Sequence, residues 1–567
     1  MKNAFVVTGA LSLASLFFQS CEPGKHEIDV TVDSSAVADG RILFNRKCSG
    51  CHSFVRDGIG PKLSGISDVP VDWLIRFIKD PKQVAAGGDD RIKKLMEEYK
   101  VVMPSFAHIG EDTIGKIVAY IRTVKETVLV DNDTLFIKDP IPGKIEKSGL
   151  IVQLREVAQI PFSSNVSPKT RISKIDTRPG SDNLFVMDLR GKLYQLQNGT
   201  PQIYLDLKGQ RKNFIDEPGL ATGFGSFAFH PDFLKNGLLY TSHTESNGSG
   251  TADFSYNDSI PTEVQWVVTE WKSDNPGAPY FTGTSRELFR INFVTGMHGM
   301  QELAFNRCAR PGGRDYGNLY IGIGDGASVE YFFPELVHDL QKPWGTIFRI
   351  NPLGKNSKNG KYGIPVDNPF AKEPDKVREI YAYGFRNPHR INWTDDGKMI
   401  AINIGQANIE AMYIVEAGRD YGWPIREGKF MVDPKGNINK VHEIPPGDSI
   451  YHVTYPVVQY DHDEGNSISG GFEYSGSKIK ELKGKYVFGD ILTGRIFYVE
   501  TKDLVQGKMA KIRELDVYFN NKEVTMKQIC GDERVDLRLA TDHEGELYVF
   551  TKPDGKVYKI TGAMVRK

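Results

Sequence analysis

The chain of 567 residues has no excess of charge of either sign and only one long hydrophobic run. Lys and Arg together number 71, Asp and Glu number 72, and the formal net charge is −1. The cations form no basic stripe, so the sequence argues against a nucleic-acid partner, which needs clustered positive charge. With 25% charged residues and 57 glycines, the composition is typical of a loop-rich globular protein of more than one domain.

The one long hydrophobic run lies at the N-terminus, from Ala4 to Phe18, and it follows Lys2. It is long enough for the apolar part of a signal peptide and too short for a mature membrane span. Cys21 comes just after it, in a position that resembles a lipobox; simple secretion with an incidental cysteine is the alternative. We therefore expect residues 1–21 to be a signal peptide and the exported protein, periplasmic or at the outer surface, to be anchored in a membrane by a lipid on Cys21.

Cysteine is scarce, with five residues in all, and a single Cys-x-x-Cys pair lacks the second pair that a zinc ribbon needs. The pair is Cys48 and Cys51, followed directly by His52, which is the spacing of covalent c-type haem attachment. His52 is then the proximal iron ligand, and a redox dithiol is the alternative. Cys308 and Cys530 either form a disulfide or remain two free thiols, because sequence does not give the distance between them.

The second haem ligand must come from farther along the chain, and we predict Met103. Pro104 follows it and keeps this segment extended, and a thioether opposite histidine is a common ligand pair. A buried core methionine is the alternative. Between the two ligands, the carbonyl of Pro61 is placed to accept the ring N–H of His52 and to set its tautomer. Methionine opposite histidine raises the iron potential, so this haem should accept electrons readily.

Helical periodicity surrounds the haem motif. Gly40 and Phe44 lie one turn apart before it, and a second apolar stripe with i, i+3, i+4, i+7 spacing is expected to cross that first helix. The stripe consists of Ile114, Ile117, Val118 and Ile121. Residues 36–126 therefore resemble a small all-α class I cytochrome c domain. Residues 127–149 are rich in Asp, Pro and Gly without a sustained apolar period, which predicts a linker.

From residue 150 to residue 562, short strand-like runs bounded by turn residues keep returning. The clearest runs are 184–187, 238–240, 318–321, 399–402, 486–488 and 547–550. Six returns over roughly 420 residues leave about 70 residues per unit, which suits four-stranded blades with insertions. We therefore predict an all-β six-bladed propeller with the small all-α cytochrome c domain at its N-terminus. A large mixed sandwich is the alternative.

Residues with catalytic chemistry lie where these strands begin or end. His298 precedes an apolar strand, and Asp325 follows another in a Gly-Asp-Gly turn. Arg386 and Asn387 belong to a Phe-Arg-Asn-Pro-His-Arg run. A histidine near a carboxylate and facing an arginine is suited to taking a proton from a hydroxyl. Taken singly, a strand-end histidine and a turn-forming aspartate both fit structural roles.

In their residues and in their order along the chain, these segments resemble the soluble pyrroloquinoline-quinone (PQQ) sugar dehydrogenases, which are the glucose and aldose-sugar dehydrogenases. The resemblance covers residues 150–562. The most specific segments are 227–233, 297–305, 322–326, 385–388, 418–424 and 486–490. The resemblance implies that His298 is the catalytic base and Asp325 the carboxylate that supports it. It also implies that Arg386 and Asn387 contact the quinone.

The resemblance further implies a calcium ion that is bound to PQQ. Ala407 and Asn408 fall where backbone carbonyls hold this ion, and Gln406 falls beside the cofactor. Two positions depart from the family pattern: Ala221 lies about where glucose-type members have a glutamine, and Ser475 where they have a PQQ-binding lysine. We expect Arg495 to replace that lysine, because the carboxylates of PQQ need cationic partners.

Together these features predict an exported quinohaemoprotein oxidoreductase. It is expected to oxidise a sugar or polyol hydroxyl by hydride transfer to PQQ and to pass electrons through haem c to a downstream acceptor. The alternative is a haem-bearing propeller that binds carbohydrate or a partner protein without turnover. The natural sugar stays open, because the glutamine of glucose-type members is missing.

Overall fold

The computed structural model describes residues 34–48, 52, 54, 60–99, 103, 105–125, 135–217 and 221–566. The predicted signal peptide with Cys21, and the second haem cysteine Cys51, lie outside these residues. Within the part that is described, none of the helices has the length and apolar character that crossing a bilayer needs.

Five helices in the described part form the N-terminal domain. They are α1 (Ser34–Lys47), α2 (Val71–Lys79), α3 (Pro81–Ala86), α4 (Asp90–Tyr99) and α5 (Glu111–Thr123), with a 3-10 turn at Ala107–Ile109. α1 crosses α5 at Gly40, where a Cβ would lie 2.0 Å from the carbonyl oxygen of Lys116. Phe44 packs against Ile117 and Ile121 in a small apolar cluster. The predicted crossing of these two helices is confirmed.

A second apolar cluster joins α2 to α5 and includes Met103, next to Leu74 and Ile78. α3 begins directly after α2 because the Asp80 carboxylate accepts a hydrogen bond from the backbone N–H of Gln83 at 3.0 Å. The two clusters hold α1, α2 and α5 around the segment that contains the predicted haem ligands.

The larger domain is built from strands. In its first half these are β1 (Glu146–Gln159), β2 (Ile172–Thr177), β3 (Leu184–Asp188), β4 (Lys192–Gln197), β5 (Thr200–Asp206), β6 (Phe224–Phe229), β7 (Leu238–Ser246), β8 (Val264–Ser273), β9 (Gly283–Phe293), β10 (Glu302–Phe305), β11 (Leu319–Ile323), β12 (Thr346–Ile350) and β13 (Ile380–Tyr383). In its second half they are β14 (Pro388–Trp393), β15 (Met399–Asn403), β16 (Ile409–Ile414), β17 (Arg426–Glu427), β18 (Phe430–Met431), β19 (Val458–Asp461), β20 (Phe472–Glu473), β21 (Lys485–Gly489), β22 (Ile496–Glu500), β23 (Arg513–Phe519), β24 (Lys522–Val524), β25 (Arg538–Thr541), β26 (Leu547–Phe550) and β27 (Lys556–Val565).

Short helices interrupt the strands. They are α6 (Leu207–Gln210), α7 (Phe233–Asn236) and α8 (Met526–Cys530), with 3-10 turns at Pro334–Leu336, Asp448–Tyr451, Lys480–Leu482 and Thr501–Asp503. α8 begins at a capping box, in which Thr525 and Gln528 satisfy each other's backbone N–H groups.

The strands form antiparallel four-stranded sheets and one larger sheet. The separate four-stranded sheets are β2–β5, β6–β9, β10–β13, and β14, β15, β16 and β19. A nine-stranded sheet runs in the order β20, β21, β22, β23, β1, β27, β26, β25, with β24 beside β23. β1 pairs in parallel with β23 and antiparallel with β27. The first strand of this domain therefore completes the group of its last strands and ties the two ends of the domain together.

Successive sheets contact one another through their first strands. β2 touches β6, β6 touches β10, β10 touches β14, β20 touches β25, and β25 touches β2. Between β14 and β20, the side-chain amide of Asn392 donates a hydrogen bond to the carbonyl of Gly471. The architecture is thus a propeller-like ring of sheets, with the small helical domain at the N-terminal side of the chain.

All six strand runs predicted from the sequence are strands. They lie in β3, β7, β11, β15, β21 and β26, which are the second strands of their four-stranded groups. These strands are buried over nearly their whole length, because sheets of the ring cover both of their faces. Continuous burial explains why they are apolar runs rather than alternating patterns.

Candidate active site

Residues of both domains line a single cavity of about 1120 Å³. From the propeller these include His298, Arg386 and Gln406, and from the helical domain His52 and Met103. The volume is above the range of roughly 300–1,000 Å³ that is usual for one small-molecule pocket. The structure therefore brings the predicted haem ligands and the predicted catalytic residues to the same space.

His298 lies in the tight loop between β9 and β10, with φ at 45°, a left-handed conformation that is uncommon for residues with a side chain. Two glycines make room for this loop. A Cβ on Gly324 would lie 2.1 Å from the carbonyl oxygen of His298, and one on Gly299 would lie 2.0 Å from Cε2 of Trp266. The local sequence thus places His298 at the wall of the cavity, directly before a strand.

His298 and Asp325 form a buried pair, with Nδ1 of the imidazole 2.8 Å from Oδ1 of the carboxylate. The other carboxylate oxygen accepts the indole N–H of Trp423 at 2.9 Å. Burial by itself would raise the pKa of Asp325, but His298 and the more distant charge of Arg386 hold that pKa below its ordinary value. The ionised carboxylate orients His298 with Nδ1–H donated to it, which leaves Nε2 as the basic atom. No local sequence pattern predicts this role for Trp423.

Arg386 lies between β13 and β14, and hydrogen bonds to neighbouring residues hold both its side chain and its backbone. Its guanidinium donates to Glu330 at 2.7 Å and to Oε1 of Gln406 at 2.8 Å. The side-chain oxygen of Asn403 accepts the backbone N–H of Arg386 at 3.1 Å and that of Asn387 at 2.9 Å. Glu330 is a site residue that the sequence analysis misses, because 56 residues separate it from its partner.

One carboxylate shapes the turn between β15 and β16 that is predicted to hold calcium. Oε1 of Glu427 accepts the backbone N–H groups of Gln406, Ala407, Asn408 and Ile409, at 2.7, 3.1, 2.9 and 2.9 Å. Glu427 is buried on the short strand β17. The sequence analysis misses this residue too, since no local pattern connects it with the turn.

The oxygens available at this turn are mainly neutral ones. In the described residues, no group of three or more His, Cys, Asp or Glu side chains is arranged to hold a metal ion. Carbonyl oxygens such as those of Gln406, Ala407 and Asn408 are hard ligands of the kind that calcium takes. The Asn408 carbonyl also accepts the backbone N–H of His462 at 3.1 Å, which leaves it one lone pair. The turn thus fits a cation that takes its remaining ligands from a bound cofactor.

Buried cations line another part of the cavity, among them Arg538 and Lys552, with Asp536 as a nearby counter-charge. Burial lowers the pKa of Arg538 to about 9 and that of Lys552 well below its ordinary value. Within the described residues, Nε of Arg538 and the side-chain oxygen of Asn387 have no hydrogen-bond partner. Incompletely satisfied cations beside a cavity fit a ligand with several carboxylates, such as PQQ.

Neither Arg495 nor Ser475 is among the residues that line the cavity. The Arg495 guanidinium donates to Glu464 and to Glu514, each at 2.7 Å. The Ser475 hydroxyl donates to Asp395 at 2.8 Å. Arg538 and Lys552, from the C-terminal part of the propeller, are among the cations that line the cavity, and Arg495 is not.

Ala221 does line the cavity, and its carbonyl accepts the side-chain amide of Gln301 at 3.3 Å. The other end of that amide, Oε1, lies 3.3 Å from Nδ1 of His389. Burial lowers the pKa of His389 well below its ordinary value, so this neutral ring donates its Nδ1–H to Gln301. A glutamine thus reaches this part of the cavity from position 301, although position 221 has an alanine.

The surroundings of His52 and Met103 are compatible with their predicted role as haem ligands. The Nδ1–H of His52 donates to the carbonyl of Pro61 at 2.9 Å, which confirms this predicted contact and leaves Nε2 for iron. A Cβ on Gly60 would lie 2.4 Å from Cε1 of the same ring, so the absence of a side chain at this position leaves room for the imidazole. Burial lowers the pKa of His52, which favours the neutral, ligating form. Cys48 is buried, and Met103 faces the same cavity as the imidazole.

The two remaining described thiols, Cys308 and Cys530, are free and form no disulfide. The thiol of Cys308 donates to the carbonyl of Thr394 at 3.3 Å. Burial raises the pKa of both thiols, that of Cys530 to about 11, which disfavours the reactive thiolate form.

Comparison with known proteins agrees with this division of the chain. The profile of the family described as "Glucose / Sorbosone dehydrogenase" matches residues 159–559, and that of cytochrome c matches residues 37–125. HIPL2 protein of Arabidopsis thaliana is 27% identical over 64% of this chain and 54% of its own length. The chain therefore spans about half the length of such curated relatives.

Two further proteins are similar to the propeller. Quinoprotein glucose dehydrogenase B of Acinetobacter calcoaceticus is 25% identical over 40% of this chain and 42% of its own length. The crystal structure of the soluble aldose sugar dehydrogenase from Escherichia coli, in the apo-form, superposes with a TM-score of 0.50 at 20% identity. It covers 73% of this chain and 100% of the E. coli chain, which supports the fold.

Proposed function

The chain belongs to the glucose/sorbosone dehydrogenase family, and on this basis we propose that it is an exported quinohaemoprotein that oxidises a sugar or polyol hydroxyl. The proposed cofactors are PQQ, calcium and haem c. The observation that carries the proposal is the buried pair of His298 and Asp325, in one cavity with Arg386 and the haem-domain residues His52 and Met103. The name of the Acinetobacter relative, a quinoprotein glucose dehydrogenase, supports the substrate and cofactor class.

Each residue of the pair has a distinct task. Nε2 of His298 takes the proton of the substrate hydroxyl, and Asp325 keeps the ring oriented and stabilises the imidazolium that forms. Arg386, held by Glu330 and Gln406, places a fixed positive charge where negative charge develops on the hydride acceptor. When bound, PQQ would supply an acceptor for two electrons, and the haem would supply a carrier that passes single electrons to a downstream acceptor.

The binding of the cofactors is proposed from the same cavity. The backbone carbonyls of Ala407 and Asn408 would hold calcium and Gln406 would contact PQQ, with the turn kept in shape by Glu427. Arg538 would bind a carboxylate of PQQ, and its unpartnered Nε supports this role.

The haem would be bonded through the thiols of Cys48 and Cys51, with His52 and Met103 as iron ligands. We further propose that the nine-stranded sheet contains two blades, one formed by β20–β23 and one by β25–β27 with β1. Together with the four separate four-stranded sheets, they make a six-bladed propeller. The N-terminal hydrophobic run supports export, with lipidation of Cys21 as the membrane anchor. Export is consistent with covalent haem attachment, which takes place outside the bacterial inner membrane.

The direct test reconstitutes the purified haem protein with PQQ and calcium, adds a panel of aldoses and polyols, and follows the reduced-haem absorption bands. We expect haem reduction that requires both PQQ and a sugar. His298→Ala should slow it by about 100-fold or more, the scale of a general base. His543→Ala, an exposed histidine outside the cavity, is the matched control. Tight binding of sugar without any haem reduction would instead favour a binding module.

The ligand role of Met103 has its own test. Met103→Ala should change the haem reduction potential, because the thioether sets it, while sugar-dependent reduction of a small dye by PQQ stays intact. Met509→Ala, which removes a half-exposed methionine, is the control. An unchanged potential would assign the sixth ligand to another residue.

A further inference from the structure

Two ion pairs join the cytochrome domain to the propeller at the rim of the shared cavity. Lys47, the last residue of α1, pairs with Glu217, and Lys82 on α3 pairs with Asp532 at 3.2 Å. Glu217 lies between β5 and β6, and Asp532 lies between α8 and β25. We call these two ion pairs the anchors. Because they contact different parts of the ring, they define the orientation of the cytochrome domain on the propeller and not only a point of attachment.

One ion pair belongs to the wall of the cavity, and the other contacts a residue of that wall. Lys47 and Glu217 line it directly. Asp532 accepts the hydroxyl of Ser167 at 2.7 Å, and Ser167 is another lining residue. The charges that join the domains thus lie in or next to the wall of the cavity.

The cytochrome face that meets this opening is the one with the haem ligands. His52, Met103 and Phe106 line the same cavity as His298 and Arg386. An electron carrier in that position shares its space with the predicted quinone site, with no need for a further protein between them.

We propose that this rim is an electrostatic docking surface for the chain's own cytochrome domain, held by Lys47–Glu217 and Lys82–Asp532, and that docking places the haem for direct electron transfer. The inference rests on the proposed function. In each turnover the sugar hydroxyl loses two electrons and two protons. One proton goes to His298, and the hydride takes the second proton and both electrons to the quinone. The two electrons then pass one at a time to the docked haem, both protons are released to solvent, and a one-electron acceptor such as ferricyanide reoxidises the haem after each electron.

The exposure of the anchors makes this docking reversible. In each pair one side chain is exposed, Lys82 at 58% and Glu217 at 55%, and its partner is mostly buried, Asp532 at 14% and Lys47 at 16%. Ion pairs that solvent reaches in this way are weakened by salt. The same domain that receives electrons therefore also leaves the opening, which gives sugar a way in and the haem a way to its external acceptor.

The test breaks both anchors at once without changing the net charge, in the double variant Lys82→Glu/Glu217→Lys. The control is Lys93→Glu/Glu416→Lys, which changes two exposed charges that pair within their own domains. At low salt we expect sugar-driven haem reduction to be at least fivefold slower than in the control, with unchanged dye-linked sugar oxidation. Adding Asp532→Lys and Lys47→Glu, which restores both pairs with reversed charge, should recover the rate.

Small-angle X-ray scattering of the haem-loaded full chain gives a readout that needs neither PQQ nor sugar. We expect a larger radius of gyration for the anchor variant at low salt, and for the parent at 1 M salt, than for the parent at low salt. If either the scattering or the rate of the anchor variant equals that of the control, the docking proposal is overturned. If the parent oxidises no sugar even with dye, the proposed function fails, and scattering alone decides on docking.

Discussion

Nδ1 of His298 lies 2.8 Å from Oδ1 of Asp325, and the second carboxylate oxygen lies 2.9 Å from the indole nitrogen of Trp423. The carboxylate is therefore held from both sides, and it holds the imidazole in turn. This arrangement gives the histidine a single orientation toward the cavity, in a loop whose left-handed backbone already restricts it.

Replacing the charge of Asp325 should affect the chemical step more than substrate binding. We expect Asp325→Asn to lower kcat by at least about tenfold while KM stays within twofold, because an amide does not stabilise the imidazolium. Steady-state kinetics with a dye acceptor measure both constants. Asp182→Asn, at an exposed aspartate, is the control. A variant whose KM rises while kcat is retained would show that Asp325 serves substrate binding.

Adding a methyl group at Gly60 should disturb the iron ligand. A Cβ there would lie 2.4 Å from Cε1 of His52, so we expect Gly60→Ala to displace the ring and to change the low-spin haem spectrum or to abolish haem ligation. Absorption spectra and the reduction potential measure this effect. Gly115→Ala on α5 is the matched control, because its Cβ would meet no atom within 4 Å. Identical spectra for both variants would contradict the placement of His52.

Removing the charge of Glu427 should weaken cofactor loading. Its carboxylate organises the turn at Gln406, Ala407 and Asn408, so we expect Glu427→Gln to raise the calcium concentration needed for PQQ binding by about tenfold or more. Fluorescence or absorption titration of PQQ at several calcium concentrations measures it. Glu416→Gln, at an exposed glutamate, should behave as the parent. An unaltered calcium requirement would remove this turn from the calcium site.

Glu263 should make the stability of the propeller depend on pH. Burial raises the pKa of its carboxyl from 4.5 to about 7, although one oxygen accepts the backbone N–H of Gly296 at 2.9 Å. Because the folded-state pKa is the higher one, the protonated form favours folding. Its stabilising contribution is complete below about pH 4.5 and is lost as pH rises to about 7, a change on the order of 3 kcal/mol.

The variant Glu263→Gln should therefore unfold at a higher temperature than the parent at pH 8 and at a similar temperature at pH 4.5. Thermal unfolding followed by circular dichroism across this range measures the difference, with Glu416→Gln as the reference for an exposed glutamate. A difference between variant and parent that is the same at every pH would show that Glu263 does not titrate in this range.

The parts of the fold that sequence predicts are those with local signals. The haem motif is set by the covalent spacing of two thiols and a histidine, and the contact between His52 and Pro61 spans only nine residues. The predicted strands are second strands of their sheets, whose continuous burial leaves an apolar run in the sequence. Several first strands lack such a run, among them β14 and β25, which contain charged residues.

The supporting residues of the site have no comparable signal. Glu427, Glu330 and Trp423 lie 19, 56 and 98 residues from Asn408, Arg386 and Asp325, which they contact. Loops from separate sheets bring them together only when the ring closes. Residue type alone therefore does not show which glutamate or tryptophan is part of the site.

The sequence by itself determined the haem-binding spacing and the strand-forming runs, and it indicated His298, Asp325 and Arg386 as site candidates. Each of these features depends on a few neighbouring residues. Only the tertiary structure decided that Arg538 faces the cavity while Arg495 is bound by two glutamates, and that the cytochrome domain meets the propeller at that cavity. Closure of the ring and domain contact are long-range events. These long-range contacts determine which of many similar charged side chains lie at the cavity, and local sequence does not encode those positions.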